Sequence, residues 1–315
     1  MDIDKPFQVN PELTGIALAY KNTDYIADEI LPRVPVSQKY FGYKKYDTAA
    51  FLNAPDAKIG RKGIPNTLEL KSELVTTNCE DYSVMAEVPE DDVMEAKAAT
   101  GAEEDPIGDN TLLVVDGLQL AREKRVADII TDSSNYGSNV TTLTTDNNFT
   151  NKDSSFIDVY RDVKNAMLVE PNYAVISSVA AVYLQTHPDF LAVYKAENSD
   201  NKGFVPLEFI AQALGLKKIL VGKSKMNTVK QGKTAVVKNI WGDDMAFFYQ
   251  NPLAKPKAGL TFGLTAERAK LNVQTYFDGK AGSFGVHFIK PVESVKELIL
   301  STACGYLVKD AFAAA

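Results

Sequence analysis

The longest helical pattern in the sequence runs from Ile107 to Thr131. Apolar residues recur there at the spacing of one face of an amphipathic helix. The expected buried stripe is Leu113, Leu120, Ala127 and Ile130, and the expected polar side is Arg122, Glu123, Lys124, Arg125 and Asp128. Asn110 is the expected N-cap, and the polar run at 133–137 predicts the end of the helix. Such a helix is more than ~30 Å long and spans a small domain.

An extended excursion precedes this helix, between residues 36 and 90. The aromatic and basic stretch 39–46 has the composition of a strand, and residues 68–77 alternate between apolar and charged side chains. A stretch rich in glycine and proline lies between them, and another alternating strand follows at 82–88. A two-stranded ribbon is only marginally stable by itself in water. The pattern therefore predicts that this ribbon rests on another surface, for which a neighbouring copy of the chain is the obvious source.

Residues 1–35 show no single hydrophobic period, and we interpret them as an N-terminal arm. Residues 11–20 predict a short helix, and a second short helix is expected around Ile26 to Leu31. Pro32 and Pro35 then force the backbone to be extended.

Helices and short apolar strands alternate from residue 155 to 222, which is typical of an α/β layer. Ser155 and Asp158 form a capping box at the first helix. Strands are expected at 171–177 and 217–222, a helix from 178 that continues to Pro188, and a helix at 204–214 that ends at Gly215. The Thr-, Asn- and Ser-rich stretch 137–151 predicts a surface loop. From residue 234 the pattern is that of strands, in separate runs at 259–266 and 269–277 and a hairpin turn at Asp278-Gly279.

Composition narrows the class of protein. The chain has 315 residues, of which 45% are hydrophobic and 24% charged, as in an ordinary globular protein. No apolar run is long enough to span a membrane, the acidic N-terminus does not resemble a secretory signal, and two cysteines predict no disulfide framework. The net charge of −7 argues against a protein whose affinity comes from binding phosphates. It permits a protein that encloses nucleic acid.

The residues that could carry chemistry favour no enzyme class. The only histidines, His187 and His287, exclude a His-rich metal site and are expected to be packed or surface residues. Gly222-Lys223-Ser224 lacks the upstream glycine of a phosphate-binding loop. Carboxylates at 90–92 and 103–105 are expected to be a solvated helix start and a solvated loop rather than a cation site. We therefore predict no catalytic, cofactor-binding or metal-binding residue.

Six stretches carry a family resemblance. In chain order they are IADEILPRVPV, the glycine-containing extended loop near 50–66, the long helix, PNYAVISSVAAVYLQTHPDF, KKILVGKS and NIWGDDMAFFYQNP. Together they resemble the major capsid proteins of tailed double-stranded DNA phages, with the Hong Kong ninety-seven type of coat fold. In that family the extended loop is called the E-loop, the β-rich periphery the P-domain and the central α/β layer the A-domain. The resemblance implies that the long helix is a spine crossing the P-domain, and that the A-domain loops meet at the centres of hexamers and pentamers.

The fold expected from the resemblance is α+β. The expected segments are an N-terminal arm at 1–35, the E-loop with its flanking strands at 36–90, a P-domain with the spine helix at 91–137, an A-domain at 138–232, and closing β-rich strands with a C-terminal tail at 233–315. Because only 35 residues precede the E-loop, a built-in scaffolding segment is not expected.

The resulting hypothesis is a non-enzymatic coat subunit that self-assembles into hexamers and pentamers of an icosahedral shell around packaged double-stranded DNA. Expected partners are further copies of the chain, DNA bound without sequence specificity, a portal, and separate scaffolding and decoration proteins, with no membrane. The expected location is the virion capsid, assembled in the host bacterial cytoplasm. The expected subunit contacts are a basic tip and an apolar stripe, namely Lys58, Arg61, Lys62, Leu68, Leu70 and Leu74. Two alternatives stay open: an encapsulin-like compartment shell, and a cytosolic α/β enzyme that forms small oligomers.

Overall fold

A computed structural model describes residues 7–20, 22, 24–46, 58–59, 63–64, 72–100, 105–197, 203–229, 233–257 and 259–313. The helices are α1 (Pro11–Ala19), α2 (Ala27–Ile30), α3 (Glu90–Thr100), α4 (Pro106–Thr131), α5 (Phe156–Ala166), α6 (Ser178–Gln185), α7 (Pro188–Glu197) and α8 (Leu207–Leu214). The strands are β1 (Gln8–Val9), β2 (Arg33–Pro35), β3 (Tyr40–Tyr46), β4 (Ser72–Asn78), β5 (Glu80–Ser83), β6 (Ala86–Pro89), β7 (Val140–Thr142), β8 (Tyr173–Ser177), β9 (Lys218–Gly222), β10 (Lys225–Asn227), β11 (Val237–Asn239), β12 (Met245–Phe248), β13 (Gly263–Asp278), β14 (Val286–Ile299) and β15 (Gly305–Lys309).

A long antiparallel hairpin of β13 and β14 organises the first sheet. Strands β1 and β2 pair with β13, and strands β5 and β6 pair with β14. The N-terminal segment and the strands that follow the ribbon are therefore parts of the same sheet. The spine helix α4 packs on this sheet, where Val114 and Val115 join a core with Val273 and Ile289.

The second sheet has five strands in the order β7-β15-β12-β8-β9. Strands β8 and β9 are parallel, and β12 runs antiparallel to both β8 and β15. Helices α5 to α8 contribute to the core beside this sheet, which contains Phe156, Leu184, Ile210 and Phe247. The alternating helices and strands of residues 155–222 thus form the predicted α/β layer.

The spine helix exists as predicted, but its start and its buried face differ from the prediction. It begins at Pro106, because proline suits the first helical position, and Asp105 occupies the N-cap position. Asn110 lies inside the helix, where its side-chain amide donates to the carbonyl of Pro106. Of the predicted stripe, Ala127 and Ile130 are buried, but Leu113 is 69% exposed. Val114, Val115, Leu118 and Val126 form the rest of the buried face.

The expected polar side of the spine helix is partly buried as well. Arg122 and Glu123 lie in the protein interior. The helix packs on the hairpin sheet and also contributes to the core around Trp241 and Phe248. A helix covered on two sides cannot place every polar residue in water, and these two instead bind partners distant in sequence.

Local signals predicted most of the other boundaries. The short helices α1 and α2, the Ser155 cap of α5 and the left-handed Gly215 cap of α8 are confirmed. Three details are corrected. The helix predicted up to Pro188 ends at Gln185, and a separate helix starts at Pro188. Residues 263–266 of the first predicted run and all of the second run, 269–277, are parts of one strand, β13, with a register irregularity between Glu267 and Asn272.

The predicted surface loop at 137–151 is the third correction. It contributes strand β7 to the five-stranded sheet. Asn148 and Phe149 within it are buried, and the Asn148 amide donates to the carbonyl of Ala313 at 2.7 Å. The polar sequence of this segment serves hydrogen bonds that hold the end of the chain, which its composition alone does not reveal.

Candidate assembly surface

The ribbon is the two-stranded antiparallel sheet of β3 and β4, paired from Tyr40 opposite Asn78 to Tyr46 opposite Ser72. It pairs with no further strand among the described residues. Its base is fixed by a hydrogen bond from Cys79 N–H to Lys39 O, and its side by one from Lys44 N–H to Pro256 O, both 2.9 Å. The predicted strand at 39–46 is thus confirmed, and so is the described part of the strand predicted at 68–77, from Ser72 onward.

The two faces of the ribbon have different surroundings. On the inner face, Phe41 and Tyr43 pack against the cluster of Cys79, Leu264 and Leu298. On the outer face, which alternation assigns to Tyr40, Gly42 and Leu74, two large apolar side chains lie in solvent. Tyr40 is 74% exposed and Leu74 is 61% exposed.

Leu74 covers the backbone of Gly42. A Cβ atom at Gly42 would lie 2.9 Å from Leu74 Cδ1, so the leucine occupies the space that a larger residue would fill. The outer face therefore carries two exposed apolar side chains, Tyr40 opposite Asn78 and Leu74 opposite Lys44, among polar residues.

The predicted contact residues differ in how much the structure says of them. Lys58 and Leu74 are exposed, as a contact with another subunit requires. Arg61, Lys62, Leu68 and Leu70 lie outside the described residues. Their role in subunit contacts stays a prediction, as do the five segment boundaries.

A largely buried cluster of arginines and carboxylates, with the exposed Asp28 at its edge, joins the N-terminal segment, the spine helix and the hairpin. Its members are Asp28, Arg33, Arg122, Arg125, Glu267, Glu293 and Glu297. Arg33 donates to Glu267 and Glu293 at 3.0 and 2.9 Å, and the Arg125 guanidinium lies 3.7 Å from the centre of the Tyr82 ring. Burial alone raises the pKa of Asp28, but Arg122 and Arg33 outweigh it and hold that pKa below its ordinary value.

Asp116 is a second attachment point between the N-terminal segment and the spine helix. One of its carboxylate oxygens accepts hydrogen bonds from the hydroxyls of Tyr20 and Tyr25 at 2.9 Å, and from the Asn22 amide at 3.2 Å. Burial and the bond to Asp116 raise the pKa of both tyrosines. The phenols therefore stay protonated and keep donating across the physiological range.

Glu123 is the third attachment point, and it is fully buried. Its carboxylate accepts from the backbone N–H groups of Ile26 and Ala27, and from the Trp241 indole at 2.7 Å. Burial raises the pKa of Glu123, against the opposing effect of these donors. Sequence reasoning placed Glu123 on a solvated face and missed this role, because none of its partners is near it in sequence.

Ser154, His187 and Asp189 lie together in the α/β layer, but their hydrogen bonds do not suit nucleophilic catalysis. Asp189 N–H donates to His187 Nδ1 at 3.3 Å, so the neutral ring carries its proton on Nε2, which faces Ser154 Oγ at 3.4 Å. Ser154 in turn donates to the carbonyl of Asn151. A general base needs the opposite polarity, in which the histidine accepts the serine proton. The group is a structural network, and His187 is packed among Phe149, Phe156 and Phe190.

Metal sites and membrane-spanning helices are both absent from the described part of the chain. No three His, Cys, Asp or Glu side chains there are grouped as a metal site. No helix in the described ranges is both long and apolar enough to cross a membrane. Cys79 and Cys304 are free and buried, and burial raises the pKa of the Cys304 thiol to about 11.

Comparison with known proteins identifies the family. The major capsid protein of Pseudomonas phage JBD67 is 32% identical over 310 residues, which cover 98% of this chain and 99% of that protein. The chain belongs to the phage major capsid protein family. The major capsid protein of Burkholderia phage BcepMu is 26% identical over 318 residues, covering 95% of both proteins. No family model matches the chain.

Solved structures agree with this assignment at the level of the fold. A phage-related protein from Bordetella bronchiseptica RB50 superposes with a TM-score of 0.74 at 19% identity, covering 99% of this chain and all of that one. A virus-like particle from Pyrococcus furiosus gives a TM-score of 0.57 at 9% identity, covering 94% and 96%. The predicted α+β phage capsid fold is confirmed. As a phage major capsid protein, the chain is a subunit of the virion capsid and assembles into an oligomeric shell; this assignment is supported over the compartment and enzyme alternatives.

Proposed function

We propose that the chain forms hexamers and pentamers of an icosahedral shell that encloses packaged double-stranded DNA without sequence specificity. The subunit assembles in the host bacterial cytoplasm, with a portal and separate scaffolding and decoration proteins as further partners. In this role it is a structural subunit that uses no catalytic centre. The observation that carries the proposal is the outer face of the ribbon, where Tyr40 and Leu74 are exposed while the inner face packs on the subunit's own core.

In the shell, a neighbouring subunit covers this outer face. Burial of apolar area contributes roughly 25 cal/mol per Å², so the leucines and aromatics of the ribbon supply most of the contact energy. The basic residues Lys58, Arg61 and Lys62 add ion pairs with acidic side chains of the neighbour. Each exposed pair contributes less than about 1 kcal/mol, but closed symmetry repeats it at every equivalent contact.

The substitution Leu74→Asp tests the proposal, because it places a charge on the outer face of the ribbon without removing a residue from the subunit's own core. We expect folded subunits with unchanged circular dichroism that no longer sediment as shells. Leu18→Asp is the matched control, because Leu18 is 60% exposed and lies on α1, away from the ribbon. Shells from the Leu74→Asp variant at wild-type yield would contradict the ribbon contact.

A further inference from the structure

A run of lysines in the chain contrasts with its negative net charge. Between Glu208 and Asp243 the sequence contains seven lysines and no acidic residue or arginine. The lysines are Lys217, Lys218, Lys223, Lys225, Lys230, Lys233 and Lys238. In a chain of net charge −7, this run is a local concentration of positive charge. A segment of one sign is typical of an interaction with a partner of the opposite sign.

The structure places much of this run on a second ribbon. We call the paired strands β10 and β11 with Lys223 and Lys233 the lysine ribbon; its register sets Lys225 opposite Asn239, and Met226 opposite Lys238. Like the first ribbon, it pairs with no other strand in the described ranges. Residues 233–239 are all exposed, and so are Lys223 and Lys225. The described part of the chain therefore leaves these residues exposed.

The lysines of this ribbon have no acidic partner among the described residues. Neither Lys223, Lys225, Lys233 nor Lys238 forms an ion pair there, whereas the more distant Lys218 pairs with Glu29 at 2.6 Å. Alternation along the strands puts Lys225 on one face of the ribbon and Lys238 on the other. Positive charge is thus presented on both faces.

The base of the lysine ribbon is rigid. The Ile240 N–H donates to the carbonyl of Ser224 at 3.0 Å, and Trp241 is buried directly after it. Ser224 and Trp241 both donate to Glu123 on the spine helix. The ribbon is therefore anchored at its base to the spine helix.

We propose that the lysine ribbon contacts the phosphate backbone of the DNA that the shell encloses. The inference deepens the proposed function and rests on it, since it names the element that meets the packaged DNA. Lysine ammonium groups are compact charges that bind phosphates without reading the bases. Such contacts bind DNA by releasing counterions, which makes binding salt-dependent and independent of sequence.

The distribution of charge favours a polyanion over an acidic patch on a second copy of the chain. A ribbon that docks on a protein surface turns one face to its partner and needs charge on that face only. Here lysines project from both faces, which suits surroundings that are negative on several sides, such as closely packed DNA. A contact with a second copy is the competing outcome, and the exposed Val236 and Val237 would then contribute to it.

The test is the salt dependence of DNA binding by the full-length chain. Binding of a random-sequence duplex is followed by fluorescence anisotropy between about 50 and 200 mM salt, where phosphate contacts show their effect. The variant replaces Lys225, Lys233 and Lys238 by glutamine. Each lost phosphate contact lowers the slope of log affinity against log salt by about 0.9, so we expect a decrease of about 2 to 3.

The control variant replaces Lys97, Lys152 and Lys195 by glutamine, which are exposed lysines on other elements. It changes the net charge equally and should keep the wild-type slope. Replacing the three ribbon lysines by arginine should also keep it. An unchanged slope in the ribbon variant, equal losses in ribbon and control variants, or no wild-type binding would each overturn the proposal.

Shell formation is measured in parallel by sedimentation. A ribbon glutamine variant that forms normal shells and has a reduced slope supports the proposal. One that loses shell assembly while its slope is unchanged assigns the ribbon to a subunit contact and overturns it. Absence of shells from the wild-type chain would refute the proposed function instead, and the DNA slope would still decide on the ribbon.

Discussion

The indole Nε1 of Trp241 donates to Oε1 of Glu123 at 2.7 Å, across 118 residues of sequence. Both side chains are buried, and the same carboxylate accepts from the N-terminal segment at Ile26 and Ala27. One side chain of the spine helix therefore connects the segment before the ribbon with the base of the lysine ribbon. The two exposed ribbons that we propose to contact partners are therefore linked through the buried Glu123 carboxylate.

Replacing Glu123 by glutamine tests this connection. Both carboxylate oxygens of Glu123 accept hydrogen bonds. The glutamine amide keeps one acceptor oxygen and places an NH2 donor at the position of the other, so buried N–H groups are left unsatisfied. We expect a loss of about 1–3 kcal/mol in the free energy of unfolding, and faster hydrogen exchange at Ile26 and Ala27. Glu95→Gln, at an exposed glutamate of α3, is the control and should change stability little. Equal stability of the two variants would contradict the role of Glu123.

Gly222→Ala should disturb the same site from the other side. A Cβ atom at Gly222 would lie 2.0 Å from Trp241 Cδ1, so the indole must move away from Glu123. Overpacking of this kind costs about 1–3 kcal/mol. Gly117→Ala is the matched control, because nothing lies within 4 Å of its Cβ position. There alanine should stabilise the spine helix by up to ~1 kcal/mol. Denaturant unfolding measures both, and destabilisation by the control alone would refute the prediction.

Arg122→Met removes a charge from the buried cluster. It removes one of the two arginines that pair with Asp28 and the donor to the Thr265 hydroxyl, while Asp28 keeps Arg33 at 2.8 Å and Glu297 keeps Arg125 at 3.2 Å. Because part of the network survives, we expect a loss of about 3 kcal/mol, the lower end for a broken buried pair. Arg161→Met, at an arginine that is 64% exposed, should cost little. The prediction fails if chemical denaturation gives the same stability for both variants.

His187 makes stability depend on pH. Burial lowers its pKa below the ordinary 6.5, although Asp189 opposes the shift. The unfolded chain therefore binds a proton at a higher pH than the folded one. The contribution of the neutral ring is complete above pH 6.5 and is lost as the pH falls below it. The His187→Gln side chain does not titrate. This variant should therefore lose less stability than the wild type between about pH 7.5 and 5.5, a range centred on the ordinary pKa of histidine. Parallel pH profiles for wild type and variant would contradict this.

Sequence reasoning succeeded where the signal was local. The Ser155 cap, the Gly215 cap and the ribbon strands follow from residues within a few positions of one another. It failed at Arg122 and Glu123, whose partners Asp28 and Trp241 lie 94 and 118 residues away. Charged residues on a long helix are normally solvated, and only the tertiary fold shows that two layers cover this one. The long acidic-and-apolar strand β14, with Glu293 and Glu297 buried in it, was the available hint.

A cryo-electron microscopy map of assembled particles would show directly whether a neighbouring subunit covers the outer face of the ribbon. We expect an adjacent subunit to cover Tyr40 and Leu74 on this face in every hexamer and pentamer. A map in which those two side chains still face solvent, or in which the ribbon lies only against its own subunit, would contradict it.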